Sequence, residues 1–260
     1  MIVMIDFLGI GAQKAGTTWL FRSLSTHPQI RFPAGKEIHF WDRHISRGMK
    51  AWLDLFPVSP PEIRQGEITP AYAFLDVQVI AQIHKINPQL RLFYSIRNPI
   101  ARAWSAAHHD RQKIELLPGE VSHQWYIDHF LSQGSRKRGD FLGCLDNWLK
   151  VFSKETLQLI FLDDIERKPK QVLGQLARHL DIDPSHFVLQ NESALRIPVF
   201  TGPDLDVPPE LLAFLRRIYA PQIEALGERL QRDLSSWLEW NGRRSLRAGG
   251  QILERTARHA

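Results

Sequence analysis

The chain has 260 residues, 43% of them hydrophobic, enough for one sizeable α/β domain with a packed core, and its formal net charge of +5 suits an anionic ligand. Its single cysteine, Cys144, excludes an internal disulfide and fits a reducing, most simply cytoplasmic, compartment. No run approaches the ~18 uninterrupted apolar residues of a membrane span, no H-E-x-x-H or second cysteine suggests a metal site, and the basic residues are scattered apart from the tail; the expectation is no membrane span, no metal and no nucleic acid.

The first segment, MIVMIDFLGIGA, is broken by Asp6 and runs at once into a glycine loop, so it reads as a buried first strand and not as a leader. TTWLFRSLSTHP has helical spacing at Trp19, Leu20 and Leu24 and is stopped by Pro28. RQGEIT predicts a short strand, DVQVIAQIHKI a helix capped by Asp76, and LRLFYSI a continuous apolar strand of the buried parallel type. Asn98-Pro99, a cap residue followed by proline at the first helical position, opens a helix through IARAWSAAHHDRQ.

From Lys113 to Asp140 the sequence is polar and broken, which predicts a mobile surface excursion around one helix, SHQWYIDHFLSQ, with Arg136 to Arg138 as a solvated turn. FLGCLDNWLKVF then predicts a helix, TLQLIFL a strand and KPKQVLGQLARHL a helix. PPELLAFLRRIYAPQIEALGERL predicts a long helix with a bend at Pro221. The expected organisation is one domain over 1–240 followed by a basic, disordered tail over 241–260. The fold class is α/β, a central parallel sheet of four or five strands flanked by helices and related to the P-loop nucleotide folds.

The chemistry lies in two places. In GIGAQKAGTTWL, Gly11, Gly16 and Thr18 hold Walker A spacing, but Thr17 occupies the lysine slot and the lysine, Lys14, sits inside the loop. A strand, loop and helix at the start of a parallel sheet is an anion site, because loop N–H groups and a helix N-terminus converge there. The strand LRLFYSI ends in Arg97, where a metal-dependent hydrolase would place an acid to hold magnesium. Ser105, two turns into the following helix, can share a phosphate with Arg97. The residues therefore describe a nucleotide with phosphates at two separate places, gripped by Lys and Arg without metal.

QKAGTTWL and RNPIARAWS resemble the two nucleotide-binding motifs of the sulfotransferases that use 3′-phosphoadenosine 5′-phosphosulfate (PAPS), and KEIHFWD and GEITPAY are similar to segments of the heparan-sulfate and related bacterial branch. The resemblance implies PAPS as donor cosubstrate, 3′-phosphoadenosine 5′-phosphate (PAP) as product, and a small-molecule or carbohydrate acceptor sulfated on a hydroxyl or, less commonly, an amine. It implies Lys14 stabilising the leaving phosphate, Ala15, Gly16, Thr17 and Thr18 on the 5′-phosphate, Trp19 stacked on adenine, and Arg97 with Ser105 on the 3′-phosphate. It makes Glu37 the general base, expected to be desolvated with a raised pKa, and His39 and Asp42 its neighbours. His108 and His109 are expected on the helix surface.

Three departures stand out. Ile68 replaces a lysine that helps engage acceptor or sulfate, a C-terminal cysteine pair found in some relatives is missing, and only NESALRIPVFTG, through Arg196, is placed to substitute for the later phosphate loop. Two other readings remain at this stage: a metal-dependent P-loop kinase or nucleotide hydrolase, and a nucleotide-binding module without turnover.

Overall fold

Alternation between short apolar strands and amphipathic helices builds a layered α/β structure. The computed structural model describes residues 5–191, Leu195 and residues 206–242. Five strands, β1 (Phe7–Gly11), β2 (Ile30–Arg31), β3 (Arg64–Ile68), β4 (Arg91–Ile96) and β5 (Leu157–Phe161), form a sheet in the order β2-β3-β1-β4-β5. Every pairing is parallel, with Phe7 opposite Gly66 on one side and Arg91 on the other.

Because the chain leaves β1 toward β2 and β3 but leaves β4 toward β5, the neighbours β1 and β4 form a topological switch point. Their carboxyl ends open the crevice in which such sheets bind ligands.

The two faces of the sheet bury different cores. Along β4, Leu92, Tyr94 and Ile96 enter one cluster and Phe93 the other, the period-two alternation of a strand covered on both sides. Helices α3 (Val77–Ile86), α4 (Pro99–Lys113), α5 (His123–Leu131), α7 (Phe141–Leu149) and α11 (Pro209–Leu230) supply the first cluster, together with Trp52 of α2 (Met49–Leu53). Helices α1 (Thr17–Ser25), α9 (Pro169–Leu180) and α10 (Ser185–Leu189) supply the second. Among the described residues no helix is long and apolar enough to cross a membrane.

The segment expected to be a mobile excursion is more ordered than its composition indicates. Beyond α5, residues Gln133–Gly139 form helix α6, started by the Ser132 hydroxyl accepting from Ser135 N–H at 3.2 Å. Ser135 and Gly139 are buried, and the Arg138 guanidinium lies 5.7 Å from the Phe74 ring centroid, so RKR lies in a helix and not a turn, with Arg136 and Lys137 exposed and Arg138 packed on its neighbours. Tertiary contact overrides weak local propensity here. Helix α11 runs through Pro221 without interruption, and residues 243–260 of the predicted tail lie outside the described residues.

Candidate active site

The loop after β1 sits at the switch point. Gly16 adopts a left-handed φ of 89° as it caps α1, which favours glycine, and a Cβ there would press on the Leu162 Cδ1 methyl at 3.0 Å. No side chain caps α1 and its first turn carries no acid, which leaves the helix N-terminus to an anion. Ala15 and Thr17 are buried and Thr18 is partly exposed. Ala12 N–H donates to the Ser95 carbonyl at 2.6 Å and the Ser95 hydroxyl donates to the Ala15 carbonyl, tying the loop to β4.

Arg97 follows β4 directly, and its Nη1 donates to the Lys14 carbonyl at 2.9 Å, so the two expected anion-binding cations are joined through the backbone. Asn98 sets the next helix in place: its Oδ1 accepts from Ile100 N–H at 2.9 Å and its Nδ2 donates to the Trp237 carbonyl at 2.7 Å. Ser105 lies two turns along α4 and is partly exposed. Trp19 is core: it is 8% exposed, and its Nε1 donates to the Leu195 carbonyl at 2.7 Å. The ring packs in the second cluster, leaving only a small edge for an adenine. Arg196 lies outside the described residues.

A second loop crosses the end of β3. Glu37 N–H donates to the Ile68 carbonyl at 3.0 Å, and the next residues enter a tight π-type turn, Phe40–His44. His39 Nδ1 lies 2.9 Å from Asp42 Oδ2, and its Nε2 lies 3.7 Å from Glu37 Oε2, so the imidazole stands between two carboxylates. Asp42 also faces Arg43 Nε at 3.5 Å. The Lys36 ammonium contacts the Glu37 carboxylate.

Burial works to raise the Glu37 pKa, but the hydrogen bond and charge of Lys36, aided by His39, outweigh it and hold the carboxyl below its ordinary value. The expectation of a raised pKa is corrected: the neighbouring lysine wins over partial desolvation, with the carboxylate 44% exposed.

Six non-glycine residues among the described ones have positive φ. Asp181 and Gln231 end helices, whereas Lys14, Glu37 and His39 all lie in the two loops at the candidate site. Such conformations cost roughly 1–2 kcal/mol each and persist where the surroundings over-determine them.

His109 is partly exposed on α4, within electrostatic reach of Lys14 and Glu37. Desolvation lowers its pKa first, and the charges that follow include Lys14, which lowers it, and Glu37, which raises it. The imidazole thus lies in the fields of both loops. The signal was present in the spacing, since Ser105 and His109 are i and i+4 on one helix face. His108 is buried against Trp104, and burial pushes its pKa down to about 4.

Ile68 is wholly buried in the second cluster, so its side chain cannot meet an acceptor. Glu67, beside it, turns to the opposite face and is also wholly buried; it lies within GEITPAY, but the resemblance assigned it no role.

The sulfotransferase domain model matches residues 5–197. Mouse heparan sulfate glucosamine 3-O-sulfotransferase 6 is 30% identical over 184 residues, covering 66% of this chain and 51% of that protein. The bifunctional heparan sulfate N-deacetylase/N-sulfotransferase 1 of Caenorhabditis briggsae is 26% identical over 68% of this chain and 22% of its own length. The chain therefore spans at most about half the length of these curated relatives. Among solved structures, a sulfotransferase from Alicyclobacillus acidocaldarius superposes with a TM-score of 0.68 at 24% identity, covering 90% of this chain and 98% of that one. Mouse sulfotransferase SULT7A1, complexed with PAP, gives 0.51 at 18% identity over 74% of this chain and 64% of that one. The likeness to these two structures is one of fold. With the domain model matched across most of the chain and the sheet and loops arranged as described, this protein belongs to the PAPS-dependent sulfotransferase family.

Proposed function

We propose that this chain moves a sulfuryl group from PAPS to a hydroxyl of a carbohydrate or small metabolite, within one domain spanning 1–240. The observation that carries the reading is the junction at the switch point, where the Lys14 loop and Arg97 are joined and a histidine of α4 lies in the fields of Lys14 and Glu37. The uncapped α1 N-terminus and Thr17 and Thr18 suit the 5′-phosphate, while Arg97 and Ser105 suit a 3′-phosphate.

In the proposed step the acceptor oxygen forms a bond to sulfur as the bond from sulfur to the bridging phosphate oxygen breaks. The acceptor proton passes to Glu37, and the electron pair stays on the 5′-phosphate of PAP, where Lys14 stabilises the developing charge. His39, held by Asp42, orients Glu37 and can relay its proton. Because Lys36 depresses the basicity of Glu37, any movement of that ammonium onto the sulfuryl group or an anionic acceptor makes Glu37 a stronger base.

The relatives' names favour a glucosamine-containing acceptor, with the 3-O enzymes supporting a hydroxyl and the N-sulfotransferase an amine as the lesser alternative. The test is transfer of radiolabelled sulfate from PAPS to a panel of glucosamine-containing oligosaccharides and small alcohols. Label should appear in product with wild type and fall at least ~100-fold in Lys14→Ala, whose circular dichroism should be unchanged. Equal turnover by that variant would remove Lys14 from the mechanism.

A further inference from the structure

Beneath the loop that carries Glu37, His39 and Asp42 lies a polar cluster in the apolar core. The Glu67 carboxylate, 0% exposed, accepts from Trp52 Nε1 at 2.8 Å, from the Thr69 hydroxyl at 2.8 Å and from the Tyr72 hydroxyl at 3.1 Å. A buried carboxylate with three neutral donors is costly compared with an apolar side chain of similar size, so its retention calls for a reason beyond packing.

The reason follows from the direction of the bonds. The Tyr72 proton is committed to Glu67, so the phenolic oxygen is left to accept, and it does so from Phe40 N–H at 3.0 Å and Trp41 N–H at 3.4 Å. Those two amides open the turn whose preceding residue is His39 and whose third residue is Asp42. Strand β3 therefore grips the loop twice, through the Ile68 carbonyl on Glu37 N–H and through Glu67 and Tyr72 on the turn itself.

We propose that Glu67 is a positioning residue, which through Tyr72 fixes the turn that pairs His39 with Asp42 and aims the imidazole at Glu37. This rests on the reading of those three residues as the proton-accepting set. Glu67 touches no reacting atom in this scheme. A carboxyl can accept from all three donors at once, Oε1 from Trp52 and Tyr72 and Oε2 from Thr69, whereas a glutamine presents an amide N–H₂ toward at least one of them.

Burial, the largest influence, pushes the Glu67 carboxyl up to about 7; the hydrogen bonds from Thr69, Trp52 and Tyr72 oppose it, and the Asp42 charge adds to it. Among the described residues the titratable groups facing it are thus Asp42 from the turn and Tyr72 from the 3-10 segment Pro70–Phe74, with Trp52 of α2 uncharged.

The test is proton and nitrogen NMR of the histidine side chains in the full chain saturated with PAP. It follows the Nδ1 proton that His39 shares with Asp42, assigned by its loss in His39→Ala. Glu67→Gln and Tyr72→Phe should each reduce that signal at least twofold while PAP affinity stays within threefold of wild type. An unchanged His39 signal in Glu67→Gln would overturn the proposal, as would a tenfold fall in PAP affinity alongside the signal, which would mark a general loss of structure. Should Glu67→Gln not fold, Tyr72→Phe decides, and retention of its signal overturns the proposal. Failure of wild type to bind PAP would overturn the donor reading instead, with the His39 signal still reporting on Glu67 by itself.

Discussion

Lys36 and Glu37 are adjacent in sequence and in contact in space, and their pairing sets the ionisation of the candidate base. Removing the lysine leaves the desolvation that raises the Glu37 pKa and deletes the largest opposing influence. The acid limb of the pH–rate profile should therefore move to higher pH in Lys36→Ala, and an unmoved limb would show that Glu37 is not the group titrating. Glu67 gives the second residue-scale prediction. Its folded-state pKa is raised to about 7, so the folded protein holds this proton more tightly than the unfolded chain. The contribution to stability is full below the unfolded value and is lost as pH rises through the folded one. Relative to Glu67→Gln, wild type should lose about 3 kcal/mol between pH ~4 and pH ~8 in urea denaturation. A constant difference between the two proteins would contradict the burial assigned to this carboxyl. The behaviour of Glu67 was not legible in the sequence, because RQGEIT reads only as a short strand and it is the cover of Trp52 and Tyr72 that makes its acid a core group.

At the scale of elements, the strands and the capped helix were the readable parts. LRLFYSI, short and rich in strand-forming residues, reads as a doubly covered strand, and Asn98-Pro99 announces its helix by a cap and a fixed φ. Asn98 does more than cap, since the same amide holds the Trp237 carbonyl. Asn98→Ala should cost about 1–3 kcal/mol, seen as a lowered thermal midpoint, and should weaken PAP binding by disturbing Arg97. A stability loss with unchanged PAP affinity would separate the cap from the site. Helix α6 was illegible because two glycines and a serine within seven residues offset the helical preference of its glutamine and three basic residues. Its position is decided by buried Arg102, whose Nη2 donates to the Ser135 carbonyl at 2.9 Å, and by Phe74, both distant in sequence.

For the whole molecule, the sheet order explains why two motifs some eighty residues apart meet: β1 and β4 are neighbours, and both motifs leave from their carboxyl ends. The carboxyl-terminal part of the chain braces this arrangement. Arg232 grips Asp164 with bonds of 2.8 and 2.9 Å and lies 3.6 Å over the Phe161 ring centroid, while Trp237 Nε1 donates to Asp163 at 2.6 Å. These contacts hold α8 (Leu162–Arg167), the helix whose Leu162 backs Gly16. The donor half of the candidate site was legible because each motif is local and chemically specific. The proposed catalytic half was read only at Glu37, His39 and Asp42, since the parts proposed for Lys36 and Glu67 come from what the fold brings beside them.

The central claim is a donor site built from two cationic anchors for a nucleotide with separated phosphates. Calorimetric titration with PAP and with ATP, each with magnesium and with chelator, tests it most directly. The account predicts tight, magnesium-independent binding of PAP, weak binding of ATP, and a selective loss of affinity for 3′-phosphorylated nucleotides in Arg97→Ala. Preferential binding of magnesium ATP would contradict it and place the chain's lysine loop in nucleotide hydrolysis or phosphoryl transfer.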